Sequence, residues 1–122
     1  MLVTLAGQLQ ILIVSARNVM GVTVEDGRQL WQSPWLVQNE NAIAQPVLLG
    51  PNRFLISAGY GLGCAAFEII PSNSVFAVRE LSRFQAIAGK TWHHPALADG
   101  KIYLRNSVEM ACYDLRITGQ TP

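Results

Sequence analysis

The chain has 122 residues and a net charge of +1; half of its residues are hydrophobic and 14% are charged. The length fits one domain with a modest core. Nine Lys and Arg residues, scattered rather than clustered, exclude the long-range field and basic patch of a nucleic-acid-binding protein. An ordinary soluble domain has about a quarter of its residues charged. No stretch approaches the roughly 20 apolar residues of a spanning helix, and the longest apolar runs, such as Ile11-Leu12-Ile13-Val14, are strand-sized. The expectation is therefore that part of this surface is buried against more protein, either further chain or other subunits.

Met1-Leu2-Val3-Thr4-Leu5 has neither the basic start nor the cleavage site of a signal peptide. It reads as a short strand turning through Ala6-Gly7. Leu9, Ile11 and Ile13 then alternate with Gln10, Leu12 and Val14, and a second run follows over residues 19–24. Asp26-Gly27 is a hairpin signal leading into Arg28-Gln29-Leu30-Trp31-Gln32, which Pro34 closes. Residues 33–41 form a polar connection, with a very short helix conceivable over 39–44.

Strand signals resume at Pro46-Val47-Leu48-Leu49 and turn through Gly50-Pro51-Asn52 into a strand over 53–58. Gly59-Tyr60-Gly61-Leu62-Gly63 is a turn, 64–69 a strand, Pro71-Ser72-Asn73 a turn and 75–81 a strand. The cycle restarts at Trp92-His93-His94-Pro95, turns at Asp99-Gly100, and continues through Lys101-Ile102-Tyr103-Leu104, the turn Asn106-Ser107 and a strand over 110–115. Residues 117–122 read as a frayed tail.

The second and third cycles superimpose. Pro46-Val47-Leu48 matches Pro95-Ala96-Leu97, Arg53-Phe54-Leu55-Ile56 matches Lys101-Ile102-Tyr103-Leu104, and Ala65-Ala66-Phe67-Glu68-Ile69 matches Ala111-Cys112-Tyr113-Asp114-Leu115. In the first cycle Ile11-Leu12-Ile13-Val14 and Gly21-Val22-Thr23-Val24-Glu25 fill the corresponding slots. A period of about 42 to 49 residues with about four strands per unit is the signature of propeller blades. The chain then divides into a first blade over about 1–35, a second over about 43–84 and an incomplete third over about 92–117. That is an all-β, partial β-propeller of about two and three-quarter four-stranded antiparallel blades.

These residues resemble the quinoprotein-like, or PQQ-like, propeller repeat. Pro95-Ala96-Leu97-Ala98-Asp99-Gly100-Lys101-Ile102-Tyr103-Leu104 fits the first half of that repeat, Ala111-Cys112-Tyr113-Asp114-Leu115 its third strand, and Gly27-Arg28-Gln29-Leu30-Trp31 its closing strand. The resemblance makes Gly27, Trp31, Asp99, Gly100 and Asp114 structural repeat residues, with Trp31 docked between blades. The middle unit departs from the pattern: it lacks the closing Trp, and Ser82 stands near that place. The last unit stops after its third strand, like the C-terminal part of a longer propeller. An open stack leaves two apolar faces and an unpaired edge beside Cys112. A homo-oligomer or the remainder of a longer chain is expected to cover them; three copies would hold roughly eight blades.

Few residues invite chemistry. The glycines of 59–63 could cradle a phosphate only before a helix, and a strand follows. Trp92, His93 and His94 are the candidate channel-facing or partner-facing cluster at the start of the third unit's innermost strand. Adjacent histidines on a strand point to opposite faces and do not naturally share a metal. Glu25, Glu68 and Asp114 hold equivalent positions and are expected to accept hydrogen bonds from turn amides. Arg105, Asn106 and Glu109 read as solvated loop tips. Cys64 and Cys112 read as free buried thiols with no metal spacing.

No catalytic, cofactor or metal residues are assigned. The expected function is a non-catalytic scaffold or binding platform with a protein partner and no cofactor. A self-assembling propeller without a ligand of its own is a further reading. The alternative is a fragment of an oxidoreductase using pyrroloquinoline quinone and calcium, although the adjacent-cysteine disulfide of the alcohol-oxidising members has no counterpart here. Members of this family are often exported or periplasmic, and the chain's own compartment is left open.

Overall fold

The computed structural model describes residues 1–73 and 75–116. Among these the chain forms three antiparallel sheets and no α-helix; one 3-10 turn, Gln38–Glu40, overlaps only the first two residues of the 39–44 stretch where a very short helix is conceivable. The first sheet comprises β1 (Leu2–Leu5), β2 (Gln8–Val14), β3 (Asn18–Val22) and β4 (Gln29–Pro34). The second comprises β5 (Val47–Leu48), β6 (Arg53–Ala58), β7 (Gly63–Ser72) and β8 (Val75–Phe84). The third comprises β9 (Ala96–Ala98), β10 (Lys101–Arg105) and β11 (Met110–Asp114). Each is a meander in which strands pair in sequence order. The tail at 117–122, including the last position assigned to the third unit, lies outside the described residues.

The long hairpin of the second sheet outruns its sequence reading. Pro71 and Ser72 belong to β7 rather than to a turn, and β8 continues past Leu81 to Phe84. The β6–β7 register ends at Glu68, and after the Ile69 N–H bond to the Asn52 carbonyl β7 pairs on one side only. There a proline's missing N–H can face the open edge.

The first and third sheets open on the same turn, while the second uses the longer Gly50-Pro51-Asn52 loop closed by Leu49 N–H to the Arg53 carbonyl. Leu5 and Gln8 flank Ala6-Gly7, as Ala98 and Lys101 flank Asp99-Gly100. Both turns have positive φ at both central residues: 52° and 77° in the first, 49° and 68° in the second. These are type I′ hairpins, whose twist matches the strands they join. The turns align Gln8 with Lys101, which corrects the sequence match that set Ile11 opposite Lys101. The match failed because Ile11-Leu12-Ile13-Val14 is the more apolar run, although the strand begins three residues earlier.

Burial explains why one unit looks different in sequence. In β10 the inward residues Ile102 and Leu104 alternate with partly exposed ones, whereas β6 is buried continuously from Phe54 to Ala58. A strand covered on both faces loses the alternation, because the second sheet lies between the other two. One core joins the first and second sheets: Leu5, Leu12, Val19, Trp31 and Trp35 meet Phe54, Ile56, Phe67 and Ile69. Phe54 and Phe67, paired across strands, stack at 5.4 Å, and Trp31 lies 5.6 Å from Phe54. The other core joins the second and third sheets through Leu55, Cys64, Ile102 and Leu104, with Phe84 edge-on to Tyr113.

Candidate functional site

The Trp92-His93-His94 cluster sits in the connection between β8 and β9, not at the start of a strand; β9 begins at Ala96. Pro95, which has no N–H to give a ladder, separates the cluster from it. The His94 Nδ1 accepts a hydrogen bond from the Gln45 N–H at 2.8 Å. Gln45 stands just before β5, as His94 stands just before β9, so this bond ties corresponding ends of two consecutive sheets. The Trp92 ring is 44% exposed with the Lys90 ammonium 5.7 Å from its centroid, and the buried Nδ1 of His93 has no partner.

Trp31 lies in the core between the first and second sheets. It is 3% exposed, and its Nε1–H donates to Oε1 of Gln10 at 2.7 Å. Gln10 is fully buried and donates in turn to the Leu5 carbonyl at 3.0 Å. Gly21, opposite Trp31 on β3, makes room for this pair, since a Cβ there would collide with the Gln10 amide and the indole. Nothing in the sequence marks the polar Gln10 on an apolar strand as Trp31's partner. Phe84 provides the corresponding aromatic contact on the second sheet, two residues past Ser82, which corrects the place assigned to the missing Trp. Arg83 lies over the Trp35 ring at 5.0 Å.

Of the three repeated acids, Glu68 and Asp114 take side-chain partners more than turn amides, and Glu25 is exposed. Arg53, Glu68 and Arg79 stand in register across β6, β7 and β8, and Glu68 binds both guanidinium groups. Arg79 and then Arg53 hold its carboxyl below the ordinary range. Asp114 is held low by Arg116, whose side chain and backbone N–H both donate to it. At the turn into β4, Asp26 bonds the Thr23 hydroxyl and receives the Arg28 N–H at 3.1 Å, while Gly27 takes φ +71°.

Two loop residues read as solvated tips prove structural. Asn106 is buried; its Oδ1 accepts the N–H groups of Val108 and Glu109, and its amide donates to the Ala88 carbonyl at 2.7 Å. Glu109 accepts the Ala88 N–H at 3.0 Å. Together they anchor the β8–β9 connection. The 59–63 turn uses positive φ at Tyr60, Gly61 and Gly63 and runs directly into β7. Cys64 is a buried free thiol, pushed up to about 11 by burial. Cys112 is free but exposed, because the face of the third sheet that carries it has no neighbour among the described residues.

What the chain presents outward is open sheet surface. A groove of about 620 Å³ runs between the second and third sheets, lined by Leu49, Ala66, Leu81, Leu97 and Leu115 with Arg53 and Arg116 at its rim. It adjoins β11, the edge of the three-stranded sheet. Asn106 donates to Glu109, and Leu115 donates to Gly100. Strand alternation therefore turns the backbone N–H and C=O groups of Met110, Cys112 and Asp114 away from β10. Among the described residues no cluster of three or more His, Cys, Asp or Glu is placed to hold a metal, and no helix is long and apolar enough to cross a membrane.

Comparison with known proteins returns no match: no family model, no curated protein and no solved structure matches the chain.

Proposed function

We propose that the chain is part of a PQQ-like β-propeller serving as a non-catalytic scaffold or binding platform, completed by further blades from its own copies or from more chain. The observation that carries this reading is the open sheet surface at both ends: an apolar face on the first sheet, a mixed face of Tyr103, Cys112 and Met110 with Lys101, Arg105 and Asp114 on the third, and a free edge at β11. Meanders that stack in chain order, the first and third sharing one hairpin turn, support the propeller reading, since a blade gains stability by covering its neighbours. Stacked sheets that present edges and faces bind through shape and apolar area rather than through a reacting group.

The test is a titration with pyrroloquinoline quinone and calcium, followed by absorbance and by thermal unfolding. The platform reading predicts no saturable change in either. A quinone spectral shift with a raised unfolding temperature would overturn it in favour of the oxidoreductase alternative.

A further inference from the structure

We infer that the open face of the first sheet docks onto the open face of the third sheet of a second copy of this chain, in a head-to-tail joint. This rests on the platform reading and names its partner. The molecule contains the pattern twice. Leu12 and Trp31 on one face of the first sheet cover Phe54 and Ile56 of the second. Leu55 and Cys64, on the opposite face of the second sheet, cover Ile102 and Leu104 of the third. The stacking sense is the same both times, and bonds between like ends, Ala6 N–H to the Pro51 carbonyl and Gln45 N–H to His94, keep the sheets in the same orientation.

Continuing that sense identifies the two surfaces left over. On the first sheet, the face opposite Leu12 presents Leu2, Leu9, Ile11, Ile13 and Met20. Leu2 is 61%, Leu9 49% and Ile13 38% exposed, and Leu2–Ile11 and Ile13–Met20 are cross-strand pairs. By the shared register this is the face that Phe54 and Ile56 occupy on the second sheet and Ile102 and Leu104 on the third, where both sets are buried. On the third sheet, the face opposite Ile102 presents Ala96, Tyr103 and Cys112, in register across three strands, with Met110 70% exposed beside them.

Charge permits the contact. The apolar stripe on the first sheet contains no ionisable side chain, so the Lys101, Arg105 and Asp114 that flank Tyr103 meet no like charge there, and the joint requires the cross-strand pair Lys101–Asp114 and the strand-end Arg105 to keep their heads in water at its rim. Because the two surfaces differ, the joint is heterologous: repeated, it closes into a ring or runs on as a filament, and a two-fold dimer does not satisfy it.

The experiment measures mass in solution for the 122-residue chain and two variants, Ile13→Lys and Met110→Glu. Both substitutions lie on exposed positions, and far-UV circular dichroism checks the fold of each. The wild-type chain is expected to associate, each variant alone to be monomeric, and an equimolar mixture to form a species of twice the monomer mass, because one intact copy of each face remains. A monomeric wild type, or a mixture that stays monomeric, overturns the joint. So does a Met110→Glu variant that still dimerises, because that places the first-sheet face against itself. Such a failure leaves the platform reading standing, since the quinone titration tests that independently.

Discussion

Replacing Trp31 by Phe tests the clamp between the first two sheets. The change removes the Nε1 donor and leaves the Gln10 Oε1, in a fully buried side chain, without its 2.7 Å partner. An orphaned buried acceptor costs about 1–3 kcal/mol. The lost ring atoms, which lie against Phe54, add about 1–2 kcal/mol of packing. The expected loss is about 2–5 kcal/mol, or roughly 8–20 °C in the unfolding midpoint for a domain of this size. Gln10→Met in the Trp31→Phe background removes the orphaned acceptor and is expected to recover part of the loss, giving a coupling of about 1 kcal/mol or more in a double-mutant cycle. Denaturant unfolding of the four proteins measures it. A Trp31→Phe midpoint within about 0.5 kcal/mol of wild type, with no coupling to Gln10, would refute the clamp.

Other consequences are as direct. Gly21→Ala, which drives a methyl into the Gln10–Trp31 pair, is expected to cost about 1–3 kcal/mol by denaturant unfolding; a neutral result would mean that the pair is not packed against β3. Gly7→Ala, at φ +77° in the first I′ turn with open space around it, is expected to cost about 1 kcal/mol through backbone strain alone, read in the same assay. In the monomeric Ile13→Lys variant at about pH 8, a thiol reagent is expected to modify exposed Cys112 promptly and buried Cys64 only on unfolding; equal rates would contradict the second core. The carboxyls of Asp26, Glu68, Glu80 and Asp114 are all held below their ordinary values of 3.8 for Asp and 4.5 for Glu. Because they bind protons more weakly folded than unfolded, their stabilisation is fully present above those ordinary values and is lost progressively as pH falls below them toward the lowered folded-state values. The denaturation midpoint at about pH 3 is expected below that at about pH 5, and an equal or higher midpoint would contradict the assignment.

Much of the strand order was legible because turns announce themselves locally. Asp26-Gly27, Gly50-Pro51-Asn52 and Asp99-Gly100 are read from a few residues each, and alternation in β10 fixes its inward face, whereas in β2 the more apolar set Leu9, Ile11 and Ile13 is the open one and Gln10 with Leu12 faces the core. The second sheet was harder. Covered on both sides, β6 and β7 show apolar runs without period, and the one-sided pairing of β7 beyond Ile69 hides Pro71 inside a strand. Register across distant units was the weak point: Ile11 was aligned by its hydrophobicity, whereas the matching Ala6-Gly7 and Asp99-Gly100 turns set the true offset. Side-chain pairings such as Gln10 with Trp31, Asn106 with Ala88 and His94 with Gln45 link residues 18 to 49 positions apart. No local pattern encodes such pairs. The exposure of Cys112 was also hidden, because a buried and an uncovered sheet face share the same alternation in sequence.

The central claim is that the three sheets are successive blades about one axis. An experimental structure of the species present in solution, by cryo-electron microscopy or crystallography, tests it most directly. The account predicts sheets fanned around a common axis, with β1, β5 and β9 nearest to it and the first sheet of one copy seated on the third sheet of the next. Sheets stacked as a flat pile without a shared axis, or with β4 and β8 innermost, would contradict it.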